Sequence, residues 1–180
     1  MPEIDEFGVV AFAKQVVSPN LDQRPAGTDV SLLVIHGISL PPSEFRGDGI
    51  ERFFCNTLDH SSHPYYGDLL GIRVSAHFLV RRDGGAVQFV PCANRAWHAG
   101  LSSWRGIEKC NDFSIGIELE GADDIPYAAA QYFSLSNLIA LVKARYPIRD
   151  IVAHSDVAPD RKSDPGPMLD WAAVRSMVAD

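Results

Sequence analysis

A chain of 180 residues, 46% hydrophobic and 22% charged, has the composition of one globular domain, long enough to bury roughly 70% of its unfolded surface without staples. Its formal net charge of −7 argues against a nucleic-acid partner, because a phosphate backbone calls for a basic face. The opening Met1-Pro-Glu-Ile-Asp-Glu6 is acidic, and nothing in the chain approaches the ~20 apolar residues of a membrane helix, so neither a secretory signal nor a membrane anchor is expected.

In chain order, Val30–His36 reads as a buried strand of branched aliphatics with a polar residue at its end. Ser39–Gly47 is a loop, and a helix is expected over Gly49–Thr57. Asn56–Gly71, rich in His, Ser, Pro and Tyr, reads as a long irregular loop of the kind usually kept for function. Arg73–Arg81 reads as a strand, Asp83-Gly-Gly85 as a hairpin turn and Ala86–Val90 as the returning partner. Phe113–Glu120 is a further strand, with Glu118 and Glu120 on one face and Ile117 and Leu119 on the other. Tyr127–Tyr146 is the longest expected helix, striped by Leu135, Leu138, Ile139, Val142 and Tyr146 and closed by Pro147. Ile151–Ala153 is a short strand that delivers His154, and Leu169–Val178 is the last helix. The order implies an α+β fold, a mixed central sheet flanked by α-helices.

Cys55, Cys92 and Cys110 are odd in number, widely spaced and form no C-x-x-C pair. A disulfide framework is therefore not expected, and a reducing cytoplasm fits best.

The chemistry concentrates in His154-Ser-Asp-Val-Ala-Pro-Asp-Arg-Lys162-Ser-Asp164-Pro-Gly-Pro167, where an imidazole, an ammonium and a carboxylate share one loop fenced by prolines and a glycine. His36 ends an apolar run much as His154 does. Two histidines and one carboxylate are the usual ligands of a hydrolytic zinc site with one position left for water, so His36, His154 and Asp164 are the expected metal ligands. Glu118, set among Ile115, Ile117 and Leu119, is the expected general base, its proton affinity raised by desolvation. Lys162 is the expected partner of a developing oxyanion. His77 lies mid-strand and His98 in Trp97-His-Ala-Gly100, where lining a cleft suits it better than ligation. His60 and His63 are expected at the surface or in a lid.

Five segments form an ordered series: His36 after Leu-Leu-Val-Ile, Ser75–Gly84, Ala96-Trp-His-Ala-Gly100, Asn111–Gly121 and His154…Gly166. In this the chain resembles the zinc-dependent N-acetylmuramoyl-L-alanine amidases, a family that also includes phage amidases and peptidoglycan recognition proteins. Within it the chain is most similar to the cytoplasmic amidases of cell-wall recycling. The resemblance implies the same fold, one Zn²⁺ per chain held by His36, His154 and Asp164, and catalytic roles for Glu118 and Lys162. It implies a lactyl–L-alanine amide on an anhydromuramyl sugar as substrate, with Arg73 and Lys109 near the peptide carboxylates. Trp97 and Leu101 would offer apolar surface to the sugar and alanine. No obligatory protein partner is indicated.

Two departures matter. Several relatives place Tyr where this chain has Ala76, which leaves the base role to Glu118. The closest relatives usually carry Arg where Lys109 stands, so a two-pronged planar contact becomes a point charge. Two other readings, a peptidoglycan-binding module without catalysis and a phage or periplasmic amidase for intact wall, fit less well. The first would not need the metal set, and the second is disfavoured by the missing signal and wall-binding extension.

Overall fold

Branched aliphatics set the centre of the fold. In the computed structural model, which describes residues 3–177, two short strands come first, β1 at Lys14–Gln15 and β2 at Leu21–Gln23, and the buried run that follows forms β3, Leu32–Ile38. Next come α1 (Gly49–Phe54), α2 (Pro64–Gly67), β4 (Phe78–Val80), β5 (Ala86–Gln88), β6 (Asn94–Ala96), β7 (Ser103–Trp104) and β8 (Ile107–Glu108). The last third holds β9 (Ser114–Glu120), α3 (Ala129–Arg145), β10 (Asp150–Ala153), α4 (His154–Val157) and α5 (Trp171–Ser176). Val178, the expected end of the last helix, lies outside the described residues.

Six strands make one mixed sheet in the order β1-β5-β4-β9-β3-β10. Only the β4–β5 pair is antiparallel. Its turn is the expected one: Gly84 takes φ +88°, and Arg81 N–H donates to Gly85 O at 2.8 Å. Parallel strands buried on both faces read as continuous apolar runs, as Leu32-Leu-Val-Ile35 does.

Strand alternation divides the sheet into two faces. Leu33, Ile35, Phe78, Val80, Ile115, Ile117 and Leu119 point to one side, where α3 lays down Leu135, Leu138, Ile139 and Val142 and the C-terminal segment adds Leu169 and Val174. Each of those α3 side chains is fully buried, worth about 1.5–3 kcal/mol apiece. Gln131 locks the helix onto the sheet: its Oε1 accepts from Ala128 N–H at the helix start, and its Nε2 donates to Val80 O and Glu120 O. The opposite face carries Leu32 and Val34, then His36 and Glu118. Beside them Leu79 packs with Phe53, Phe54 and Phe89.

Several elements differ from expectation. The β3 ladder runs two residues past His36 because Gly37 and Ile38 still pair with Leu119 and Glu120, so His36 lies inside a strand rather than ending one. The first helix stops at Phe54, before Thr57. The strand expected over Arg73–Arg81 shrinks to Phe78–Val80, because Ser75 N–H bonds Trp97 O and Ser75 Oγ donates to Asn20 O. The returning strand stops at Gln88. The segment between Asn56 and Gly71 contains α2, whose first turn is capped by His63 Nδ1 accepting from Tyr65 N–H, while His60 Nδ1 meets Tyr66 O. The longest helix spans Ala129–Arg145, with Tyr146 just beyond it.

Candidate active site

Parallel register brings the chemistry together. Along β3 and β9, His36 is the register partner of Glu118. Strand β10 pairs Ala153 with Ile35, so His154, the next residue, arrives level with His36. The chain turns there into α4, whose start is capped by Asp156 Oδ2 accepting from Ala153 N–H at 2.8 Å. The following loop folds back: Ser155 N–H donates to Asp164 O at 3.0 Å, and Tyr127 Oη donates to Pro165 O at 2.9 Å. These bonds return Asp164 to the two imidazoles.

The result is a triangle. His36 Nδ1 lies 2.9 Å from His154 Nδ1 and 3.4 Å from Asp164 Oδ2, and His154 Nδ1 lies 3.1 Å from the same oxygen. Three potential ligand atoms thus face one another within 4.8 Å. The far nitrogens have partners of their own. His154 Nε2 is 3.3 Å from Ala99 O, which can only accept, and His36 Nε2 is 2.9 Å from His98 Nδ1. With the Nε2 hydrogen directed to Ala99 O, the Nδ1 of His154 can offer its lone pair to a cation in the triangle, in place of its metal-free contact with Asp164. Lone pairs pressed together beside a carboxylate are the donor set a divalent cation satisfies, so the residues present fit a metal.

Burial sets the charges. It is the main cause that pushes the His36 pKa down to about 4, against the opposing hydrogen bond with Asp164. For Asp164 burial acts to raise the pKa, but hydrogen bonds with His154 and His36 outweigh it and hold the carboxyl below its usual range. Glu118 moves the other way. Burial first, then the negative charge of Asp164, raise its pKa well above the ordinary carboxylate value, with Lys162 opposing. Its Oε2 is buried and has no hydrogen-bond partner.

A cleft of about 430 Å³ opens over this triangle. Glu118, Lys162 and His98 line it with the three ligand candidates, and Phe53, Tyr65, Leu69 and Ile72 form an apolar wall. That wall draws on the segment expected as a functional loop. His60 and His63 stay outside, occupied with α2. His77 is also apart from the triangle: its Nδ1 accepts from Gly116 N–H at 3.0 Å and its Nε2 meets Asn94 O.

The expected substrate contacts are dispersed. Leu101 and Lys109 line a second depression with Gly100 and Arg161. Arg73 is exposed and Trp97 half-buried, and neither lines either depression; the Trp97 backbone N–H donates to Ser75 Oγ. Sequence reasoning missed Arg24, whose guanidinium donates to the carbonyls of Cys92, Asn111, Asp112 and Ser114. It also missed Ser114 and Tyr127. The alternation Ser114-Ile-Gly-Ile-Glu118, which sets Ser114 on the Glu118 face, was the available signal for the serine.

Residues 26–167 match the sequence pattern of a family described as N-acetylmuramoyl-L-alanine amidase. The chain is 51% identical over 177 residues to the 1,6-anhydro-N-acetylmuramyl-L-alanine amidase AmpD of Citrobacter freundii, covering 97% of this chain and 94% of that one. It is 49% identical over 176 residues to the protein of the same name from Escherichia coli K12, covering 97% and 96%. A crystal structure of a selenomethionine AmpD derivative superposes with a TM-score of 0.93 at 50% identity, covering 96% of this chain and 97% of that one. The amidase AmiD of E. coli, solved with the substrate anhydro-N-acetylmuramic acid-L-Ala-D-γ-Glu-L-Lys, superposes with a TM-score of 0.62 at 31% identity, covering 87% of this chain and 60% of that one.

Proposed function

Because this chain belongs to the N-acetylmuramoyl-L-alanine amidase family, we propose that it hydrolyses the amide between the lactyl group of 1,6-anhydro-N-acetylmuramic acid and the L-alanine of a stem peptide, in the recycling of peptidoglycan. It is an amide hydrolase, and relatives half-identical to it over nearly their full length are named for this cleavage. The single observation that carries the reading is the convergence of His36, His154 and Asp164 beneath a cleft that also receives Glu118 and Lys162. A binding module without catalysis has no use for that donor set or for the two charged helpers.

The proposed cofactor is one Zn²⁺ held by His36, His154 and Asp164, two nitrogens and an oxygen with room for a fourth ligand. When bound, zinc supplies polarisation of the scissile carbonyl and lowers the pKa of a water molecule towards ~7. The protein's own groups do the rest. Glu118 takes the proton of the attacking water and hands it to the departing L-alanine amine, a role favoured by a pKa well above the carboxylate norm. Lys162, exposed at the cleft, places its ammonium against the developing oxyanion. The apolar wall of Phe53, Leu69 and Ile72 faces the non-polar parts of the substrate. In the second depression Lys109 is a proposed contact for the peptide carboxylates and Leu101 for the sugar and alanine; Arg73 and Trp97, proposed for the same two roles, lie off both depressions.

The proposed compartment is the cytoplasm. Cys55, Cys92 and Cys110 are unpaired, as a reducing environment allows, and among the described residues no helix is long and apolar enough to cross a membrane.

The test is mass analysis of products from anhydromuropeptide. Zinc-loaded protein should release free stem peptide and anhydromuramic acid, chelation should stop the release, and added zinc should restore it. Cleavage at another bond, or none by zinc-loaded protein, overturns the reading.

A further inference from the structure

Strand β9 presents alternate residues to the site face: Ser114, Gly116 and Glu118. Glu118 reaches the cleft. The other two frame a single imidazole, that of His98, which is buried at 8% exposure. A methyl group at Gly116 would sit 2.5 Å from His98 Cγ, so only a glycine leaves room for the ring there. From that seat His98 spans two partners: Nδ1 lies 2.9 Å from His36 Nε2, and Nε2 lies 3.1 Å from Ser114 Oγ. The backbone around it is pinned as well. Asn111 Oδ1 accepts from both His98 N–H and Ala99 N–H, and Arg24 holds the Ser114 carbonyl.

We propose that His98 is a positioning residue for the metal centre, which fixes the ring of His36 and selects the tautomer whose Nδ1 is free to bind the ion, with Ser114 anchoring His98 in turn. The logic is proton counting along one line of hydrogen bonds. A neutral imidazole carries one N–H. If Ser114 Oγ accepts from His98 Nε2–H, then His98 Nδ1 is an acceptor and takes the hydrogen of His36 Nε2. His36 Nδ1 is then a lone pair, aimed at His154 Nδ1 and Asp164. The reverse polarity puts a hydrogen on His36 Nδ1, where a cation would have to displace it. His154 needs no such device, because the carbonyl of Ala99 accepts only and sets its tautomer directly. The two ligating rings are thus oriented by different means, one by a backbone carbonyl and the other by a second imidazole. His98 itself does not bind the ion: Nδ1 is turned to His36 and Nε2 to Ser114.

This inference rests on the metal centre proposed above, and one measurement separates the two. Zinc affinity is read by competition with a chromophoric chelator, without substrate, on the wild type and on H98L, H98N and S114A. Wild-type protein that takes up no zinc overturns the metal centre and this inference with it. With zinc bound by the wild type, H98L is expected to lose about 10–100-fold in affinity. H98N, which keeps an acceptor near the position of Nδ1, should recover most of that loss, and S114A should lose several-fold. A purely structural role would lower thermal stability in all three and leave zinc affinity unchanged; that result overturns the proposal. Should H98L fail to fold, the near-isosteric S114A decides alone, and wild-type affinity in it overturns the proposal.

Discussion

Glu118 and His36 are paired positions on adjacent parallel strands, so backbone hydrogen bonding alone sets a carboxyl group beside an imidazole of the proposed metal-binding triangle. The pair needs no loop to order it. Glu118 should therefore matter to turnover and hardly at all to metal uptake. Glu118→Gln is expected to lower kcat by about 10²–10⁴, and Lys162→Met by about 10²–10³, with zinc content by elemental analysis unchanged in both. Wild-type turnover by either variant removes that residue from the mechanism.

Zinc should also act as a stabilising ligand. At free zinc about 100 times its Kd, the folded state gains about 2.7 kcal/mol, which for a chain of this size raises Tm by roughly 5–11 °C. Asp164→Ala, which removes the shared oxygen of the triangle, should lose most of that rise. Differential scanning calorimetry with and without chelator measures it, and an undiminished rise in Asp164→Ala would take Asp164 out of the ligand set.

Acid should weaken the metal-free protein early. His36, His77 and His98 all have lowered pKa values, burial being the chief cause in each, with His36 at about 4. In the unfolded chain these imidazoles protonate near 6.5. Below that pH the unfolded state binds more protons than the native one at these three sites, which outweighs the opposite contribution of the single raised carboxyl of Glu118, so stability falls as pH drops. The loss continues to about pH 4 for His36 and below the normal range for the other two. Denaturant midpoints at pH 7, 6 and 5 should decline in that order, and His77→Gln should flatten the slope. A flat profile would contradict the buried neutral state.

Arg24 should be a stability residue. Its guanidinium serves the carbonyls of Cys92, Asn111, Asp112 and Ser114, and burial lowers its pKa to about 10. Arg24→Leu leaves those carbonyls without their donor, for a loss of about 3–5 kcal/mol. Arg24→Lys should rescue little, since a point charge cannot fill a planar fork. Urea denaturation tests both; a cost under about 1 kcal/mol in Arg24→Leu would mean that water replaces the fork.

Legibility in the sequence followed the range of the interactions. The central strands and α3 were readable because alternation and the helical stripe are local patterns: Leu135, Leu138, Ile139 and Val142 are all fully buried. The approach of His36 to His154 was readable from two apolar runs that each lead into a histidine. What escaped depends on contacts with no local signature. Strands β1 and β2 are too short to show a period. Arg24 bonds mainly backbone carbonyls, which every residue carries, and its one side-chain partner, His77, lies 53 positions away. The seat of His98 depends on an absent side chain at Gly116, and the shortening of the strand after Arg73 depends on Ser75 and Asn20, 55 positions apart.

Strand β10 is the last of the sheet in chain order and lies at its edge, yet His154 comes directly after it, and Lys162 and Asp164 follow within ten residues. A polypeptide emerging from the ribosome can lay down every other strand by residue 120 and still cut nothing. Those three proposed site residues thus come after the rest of the ladder in chain order, on the segment that follows β10. A chain ending before β10 would keep five strands of that sheet and lack His154, Lys162 and Asp164 altogether.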